Sequence, residues 1–148
     1  IMWGVGEWKE YESRLLLRLP SVPTANATIA KEVQSHGIEA AVKQVPLLGD
    51  SSGDTGWRAW HRAVGLPYLP SKSSLTIPDS NSRVQAVIDG QGIALWDRLV
   101  APEIKSGQLV ELTDRKLDTS GYYLVFTKDP YAAQVQAMID WLFAQTAI

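Results

Sequence analysis

Apolar and polar positions trade places along this chain in short blocks. Runs of strand length alternate with stripes of helical period. Ile1 to Trp3 reads as the end of a strand, with a loop from Gly4 to Tyr11. Arg14 to Leu19 is an apolar run stopped by Pro20, which predicts a buried strand. Pro23-Thr24-Ala25-Asn26 opens a predicted helix reaching His36, with Gly37 as its stop, and Ile38 to Lys43 adds another turn or two. Val45 to Leu48 is a short extended piece, and Gly49 to Gly56 is a loop rich in Ser, Asp and Gly. Trp57, Trp60 and Val64 stand at helical spacing before Gly65. A Pro- and Ser-rich connector, Leu66 to Ser74, leads to a short strand from Leu75 to Ile77.

The stretch Asp79 to Trp96 then reads as a polar loop, a helix from Asn81 to Asp89, a glycine stop and a buried strand from Gly92 to Trp96. Asp97 caps a short helix through Lys105, with Gly107 after it, and Leu109 to Leu112 and Tyr122 to Phe126 are strands. Asp129 and Pro130 form a cap and first-turn pair for the last helix. That helix carries Val135, Met138, Ile139, Leu142 and Phe143, an i, i+3, i+4, i+7, i+8 stripe. Strands alternating with helices imply an α/β fold with a largely parallel sheet.

Composition narrows the function classes. A chain of 148 residues suffices for one domain or two small lobes, and its 45% hydrophobic and 20% charged residues are ordinary globular values. A net charge of -2 offers no whole-chain basic field to hold nucleic acid. No apolar run is long enough to cross a bilayer. With no cysteine, thiolate catalysis, disulfides and zinc–cysteine sites are excluded. His36 and His61, far apart in sequence, give no metal-ligand spacing, so neither metal nor cofactor is expected. His36 reads as a helix C-terminal residue interacting with the dipole, and His61 as a surface helix residue.

Two strings imitate catalytic or cofactor motifs. Gly49-Asp50-Ser51-Ser52-Gly53 satisfies G-x-S-x-G between an extended piece and a helix. A hydrolase on Ser51 needs a histidine toward the end of the chain, and both histidines are elsewhere, so a flexible surface loop is the reading. Gly4-Val5-Gly6 lacks the third glycine of a dinucleotide loop, where Lys9 stands, and reads as a turn.

Ser80, Asn81 and Ser82 are the principal candidates for ligand binding. They start a helix, where backbone N–H groups are unpaired and the dipole is positive, so the end suits a carboxylate or phosphate without any catalytic group. One of the three is expected to cap the helix; three exceed what capping needs. Among the six tryptophans, Trp57, Trp60 and Trp141 fall on helices, where packing is expected. Trp3 and Trp96 fall at strand ends, where open α/β sheets bind ligands, and for these two pocket lining and structural packing both remain open. Trp8 is read as packing.

Taken in order, these strings are similar to LysR-type transcriptional regulators of the glycine-cleavage activator-like branch. Ile1-Met2-Trp3-Gly4-Val5-Gly6-Glu7-Trp8 resembles the segment that ends the first lobe there, and Trp57-Arg58-Ala59-Trp60 with Ala63-Val64-Gly65-Leu66 resembles the branch's Trp-x-x-Trp helix. Asp79 to Trp96 resembles its loop, helix and Gly-Gln-Gly strand, and Leu99 to Ile104 through Gly107-Gln108-Leu109-Val110 its next helix and strand. Gly121-Tyr122-Tyr123-Leu124-Val125-Phe126 and a helix with Asp140-Trp141-Leu142 complete the match, which covers nearly the whole chain.

The resemblance implies an α/β fold of the periplasmic-binding-protein type 2 kind, two lobes around a cleft that takes a small-molecule effector. Residues 1–13 would be a remnant of the first lobe and 14–127 the second lobe, with Arg14 to Leu19 and Tyr122 to Phe126 as hinge strands. Residues 128–148 would form a C-terminal helix returning to the first lobe. It also implies a cytoplasmic, homo-oligomeric, non-enzymatic regulator that touches DNA only through a helix-turn-helix domain absent from this chain, and no membrane. The opening Ile1-Met2-Trp3-Gly4 reads as a strand cut open, so a fragment is expected, and Met2 stands where the branch often has arginine. Trp3, Ser80, Asn81, Ser82 and Trp96 are the ligand-binding residues this reading commits to. A solute-binding protein of a transport system is the alternative with the same fold. The apolar face of the last helix, with its partner lobe missing, is expected to be an exposed patch or an association surface.

Overall fold

The structure, a computed structural model, describes residues 1–127 and 133–146; the Asp129–Pro130 cap pair lies outside the described residues. Two compact units divide the chain. The first joins residues 1–20 to 118–148, and the second is the continuous segment 21–117.

The first unit contains a three-stranded antiparallel sheet of β1 (Met2–Gly4), β2 (Glu12–Arg18) and β8 (Gly121–Phe126), with β8 in the middle. The pairs Met2–Tyr123 and Arg14–Leu124 give the registers. The sequence predicts a buried strand at Arg14 to Leu19, and here the structure differs. Leu15 is exposed, Leu16 and Leu17 are half-buried, and only Leu19, beyond the strand, is buried. The strand lies at a sheet edge and its register shifts between Leu15 and Leu17, so a run of three leucines cannot send every side chain to one core. Trp8 packs edge-on against Tyr123 at 5.6 Å, as its reading requires.

Helix α6 (Ala133–Thr146) belongs to this unit. Of its predicted stripe, Ile139 is buried, Leu142 and Phe143 are half-buried, and Arg14 lies 4.3 Å over the Phe143 ring. Val135 and Met138 are exposed, and so is Trp141, where packing is expected from sequence. Trp141 falls off the stripe that meets β2, and a helix covers a neighbour along one face only.

The second unit is built on a five-stranded sheet, ordered β5 (Leu75–Thr76), β4 (Leu47–Gly49), β6 (Ile93–Trp96), β3 (Val22–Ala25), β7 (Val110–Glu111). β4 runs parallel to both neighbours, while β3 opposes β6 and β7. Four strands therefore point one way and β3 runs against them. Helices cover both faces, which is why the strands read as apolar runs rather than alternations. On β4, Leu47 joins the cluster under α1 (Ala27–His36), α2 (Ile38–Gln44) and α3 (Thr55–Ala63), whereas Leu48 joins the cluster under α4 (Ser80–Ile88). Ile93 and Ala94 on β6 divide in the same way. α5 (Ala101–Ser106) follows a 3-10 turn at Arg98–Val100, whose Leu99 amide is capped by Asp97 as predicted, and Gly107 ends it in the left-handed conformation.

β3 corrects the expected helix start at Pro23. Val22 to Ala25 are fully buried and extended, and the helix begins only after Asn26. Pro23 fits a central strand because its carbonyl still accepts the Leu112 amide at 2.9 Å. Asn26 caps α1 by accepting the Ile29 amide at 3.0 Å, while its own amide group donates to the Ile88 carbonyl at 3.2 Å. One side chain thus ties the start of α1 to the end of α4.

Candidate functional site

Because β4, β5 and β6 are parallel, their carboxyl ends emerge on the same edge of the second unit. Gly49, Thr76 and Trp96 close these strands. The Ile77 amide donates to the Gly49 carbonyl at 2.9 Å and holds two of the strand exits together. Three residues past β5 the chain turns into α4. This is the edge at which α/β sheets bind ligands.

The tip of α4 is capped from outside the predicted trio. Asp79, with extended backbone, accepts the Ser82 amide at 2.7 Å. The Ser82 amide and hydroxyl, helped by the Asn81 amide, hold the Asp79 carboxyl below the usual carboxylate value. The expectation that Ser80, Asn81 or Ser82 supplies the cap is therefore corrected. An aspartate directly before the helix is a stronger acceptor for a positive helix end than a neutral hydroxyl. Ser80, Asn81 and Ser82 are all exposed. Among the described residues, the side chains of Ser80 and Asn81 have no intramolecular hydrogen bond, whereas Ser82 turns its hydroxyl to Asp79.

Arg83 is the residue that sequence reasoning missed. It is only 8% exposed. Its Nη1 donates to the Ile77 carbonyl at 2.6 Å and the Pro78 carbonyl at 3.3 Å. Its guanidinium lies 4.7 Å over the Trp96 ring. Burial lowers its pKa, and the nearby Asp50 and Asp79 charges oppose that. A signal was present: a cation in the first turn of a helix opposes the dipole, so an arginine there needs another reason. Its reason is the turn it braces, where two backbone carbonyls would otherwise lack donors.

Trp96 is 9% exposed, with the guanidinium on its ring and its Nε1 buried without a partner. Ser80, Asn81, Ser82 and Trp96 are thus gathered in the second unit, linked by Arg83. Trp3 belongs to the first unit, where it is 37% exposed and meets the Tyr122 ring edge-on at 4.9 Å.

The G-x-S-x-G string forms a tight turn rather than a nucleophile elbow. Asp50 accepts the Ser52 amide at 2.8 Å and also its hydroxyl, and the Gly53 amide returns to the Asp50 carbonyl at 2.9 Å. His36 lies in the last turn of α1, as read from sequence, with Nδ1 on the Glu32 carbonyl at 3.1 Å. His61, expected at the surface, is 1% exposed. It sits edge-on to Trp57, Trp60 and Tyr68, because α3 turns its Trp-x-x-Trp-His face wholly into the core. Its Nδ1 lies 2.8 Å from the Trp57 carbonyl, which can only accept, so Nδ1 carries a proton. Its Nε2 is buried without a partner. Among the described residues, no histidine bonds a serine hydroxyl, and no group of three acidic or histidine side chains could hold a metal ion.

Burial pushes the His61 pKa below the ordinary 6.5, with the Trp57 carbonyl opposing. The unfolded chain then binds more protons than the folded one below about pH 6.5. Stability is complete above that pH and is lost as pH falls toward the folded value. Urea unfolding followed by circular dichroism should show this decline, and His61→Phe should flatten it. A slope unchanged by the substitution would assign the acid sensitivity to other groups.

Residues 1–147 match the family model described as LysR substrate binding domain. Over 150 residues the chain is 25% identical to the glycine cleavage system transcriptional activator of Escherichia coli K12, covering 99% of this chain and 49% of that protein. It thus spans about half the length of the curated relatives it matches. Among solved structures, the effector domain of the transcriptional regulator AmpR from Pseudomonas aeruginosa superposes with a TM-score of 0.83 at 24% identity, covering 98% of this chain and 70% of that one. Full-length LysG from Corynebacterium glutamicum, solved with its effector Arg bound, superposes with a TM-score of 0.70 at 14% identity, covering 95% and 48%. These likenesses show the fold, which is the periplasmic-binding-protein type 2 kind expected from sequence.

Proposed function

The chain belongs to the LysR substrate binding domain family, and on that premise we propose that it is the effector-sensing part of a transcription regulator, recognising a small polar molecule at the tip of α4. One observation carries this assignment. Asp79 does the capping, which leaves the Ser80 and Asn81 side chains exposed and unengaged where three parallel strands end. Ser80, Asn81 and Ser82 are the proposed hydrogen-bonding residues. Trp96, through the arginine stacked on it, and Trp3, in its own unit, are the proposed flat walls. The ionised Asp79 already takes the Ser82 amide, so side-chain donors are the groups left to meet a polar effector there.

Such a protein does no chemistry of its own. An effector that binds one conformation better than another shifts the population by its differential affinity, and that bias is what a DNA-binding domain elsewhere in the protein would read. Homo-oligomerisation, DNA contact through a helix-turn-helix domain and a cytoplasmic location belong to the same proposal. The family match and the regulators named among the relatives favour it over the solute-binding alternative.

A thermal-shift screen with amino acids and small carboxylates identifies the effector, since a ligand specific to the folded state raises its stability by mass action. In the double variant Ser80→Ala with Asn81→Ala, binding should weaken about tenfold or more, from two lost hydrogen bonds of about 1 kcal/mol each. The unliganded melting temperature should hold, because both side chains are free of the fold. Unchanged affinity would remove the α4 tip from the binding site.

A further inference from the structure

We propose that a cavity at the start of α3 is a second binding site, one that takes a small organic amine with an apolar body. The cavity has a volume of about 270 Å³ and lies wholly within the second unit. Trp57 and Leu47 form its floor, Tyr68 and Pro70 from the connector and Leu75 of β5 its apolar walls, and Asp54 its charged group. None of Ser80, Asn81, Ser82, Arg83 or Trp96 lines it; it shares only the strand ends Gly49 and Thr76 with the edge described above, and its ligand-contacting side chains are not those of the α4 tip.

The charge on the wall selects the ligand. Among the described residues, Asp54 is the only ionisable carboxylate that lines the cavity, and no cationic side chain lines it. Arg58 first, with Tyr68, holds the Asp54 carboxyl below its ordinary value, so it is ionised at neutral pH. Asp54 is the residue before α3, yet its side chain does not cap the helix. It turns instead toward Arg58, which donates from Nη2 and Nε to Oδ2 at 2.8 and 2.9 Å. The same guanidinium lies 4.6 Å over the Tyr68 ring. The chain thus already seats a cation between this carboxylate and this aromatic face.

Capacity for another cation remains. A carboxylate offers about four acceptor positions. Arg58 takes two on one oxygen, and Tyr68 is near enough to help hold the carboxyl's pKa down. An ammonium entering from the cavity side would meet a remaining position and the aromatic faces of Tyr68 and Trp57, a pairing that favours cations over neutral and anionic groups of the same shape. The Trp57 Nε1 is satisfied by the Leu48 carbonyl at 3.1 Å, so the indole has no unmet donor to attract an anion. The hydroxyl-bearing residues Ser74 and Thr76 complete the rim.

Three probes of one shape and different charge test this: phenethylamine, 2-phenylethanol and 3-phenylpropionate. Each is titrated into the protein while the Trp57 indole N–H resonance is followed by NMR. The amine should shift that signal saturably, the alcohol should bind at least about tenfold more weakly, and the carboxylate should leave it unmoved. Asp54→Asn should abolish the preference for the amine, while Arg58→Ala should keep or tighten amine binding. Equal responses to the three probes, no response to millimolar amine, or an amine preference surviving Asp54→Asn would each overturn the proposal. Loss of amine binding in a folded Arg58→Ala would do the same. The Ser80→Ala, Asn81→Ala variant should bind the amine as the parent does, so a failure at the α4 tip and a failure here read out separately.

Discussion

Replacing Trp60 with alanine is expected to destabilise the second unit by about 3–5 kcal/mol, the usual cost of removing a buried aromatic ring. Trp60 is 0% exposed and packs edge-on to Trp57 at 6.0 Å and His61 at 5.1 Å. Its Nε1 donates to the Arg115 carbonyl at 2.9 Å, fastening α3 to a segment 55 residues later in the chain. The substitution leaves a void among side chains that α1, α2 and β4 hold in place, and it orphans a carbonyl. Against a total stability of roughly 5–15 kcal/mol, this is a large share. Urea unfolding measures it. Trp60→Phe should recover most of the packing and leave about 1 kcal/mol for the lost hydrogen bond. A cost below about 1 kcal/mol for the alanine variant would mean that the aromatic cluster collapses into the void.

Gly49→Ala is the second large effect, and it bears directly on the site. A Cβ at Gly49 would run into the backbone carbonyl of Gly53, across the tight turn that follows β4. The obstacle is main chain, which cannot rotate aside, so the turn must open or β4 must shift. Overpacking of this kind costs about 1–3 kcal/mol and occasionally more. The Gly49 carbonyl also receives the Ile77 amide, so a shift at Gly49 is passed to Ile77 and Pro78, whose carbonyls Arg83 braces, and on to the α4 tip. Stability and effector affinity should therefore fall together. Gly53→Ala is the informative comparison. Gly53 has positive φ but open space around a Cβ, so it should show only the backbone cost of about 1 kcal/mol. Equal effects at the two glycines would mean that conformation, not contact, dominates at Gly49.

Much of the local architecture is legible in the sequence because its signals act over one or two turns. Gly37, Gly65 and Gly107 follow helices as read, Asp97 caps the turn assigned to it, and the 3.6-residue spacing of Trp57, Trp60 and Val64 marks α3. The ordered strings that resemble the LysR family extend this to the fold, in agreement with the family model. Local reasoning falls short at β3, where Val22 to Ala25 is too short to show a period and its proline resembles a helix start. It falls short again at His61 and Arg83, polar residues whose spacing suits an exposed position equally well.

Sequence by itself determined the order and type of most elements, the helix stops, and the polar tip that begins with Ser80. These follow from backbone preferences and side chains a few positions apart. The Asp79 cap that leaves Ser80 and Asn81 free is a local contact that the reading of the sequence passed over, whereas tertiary structure alone decided that Arg83 folds inward onto Trp96 and that His61 is sealed in the core. The burial of Arg83 and His61 depends on a core assembled from strands and helices distant in the chain. Burial and electrostatic environment are properties of that packing, which no local pattern contains.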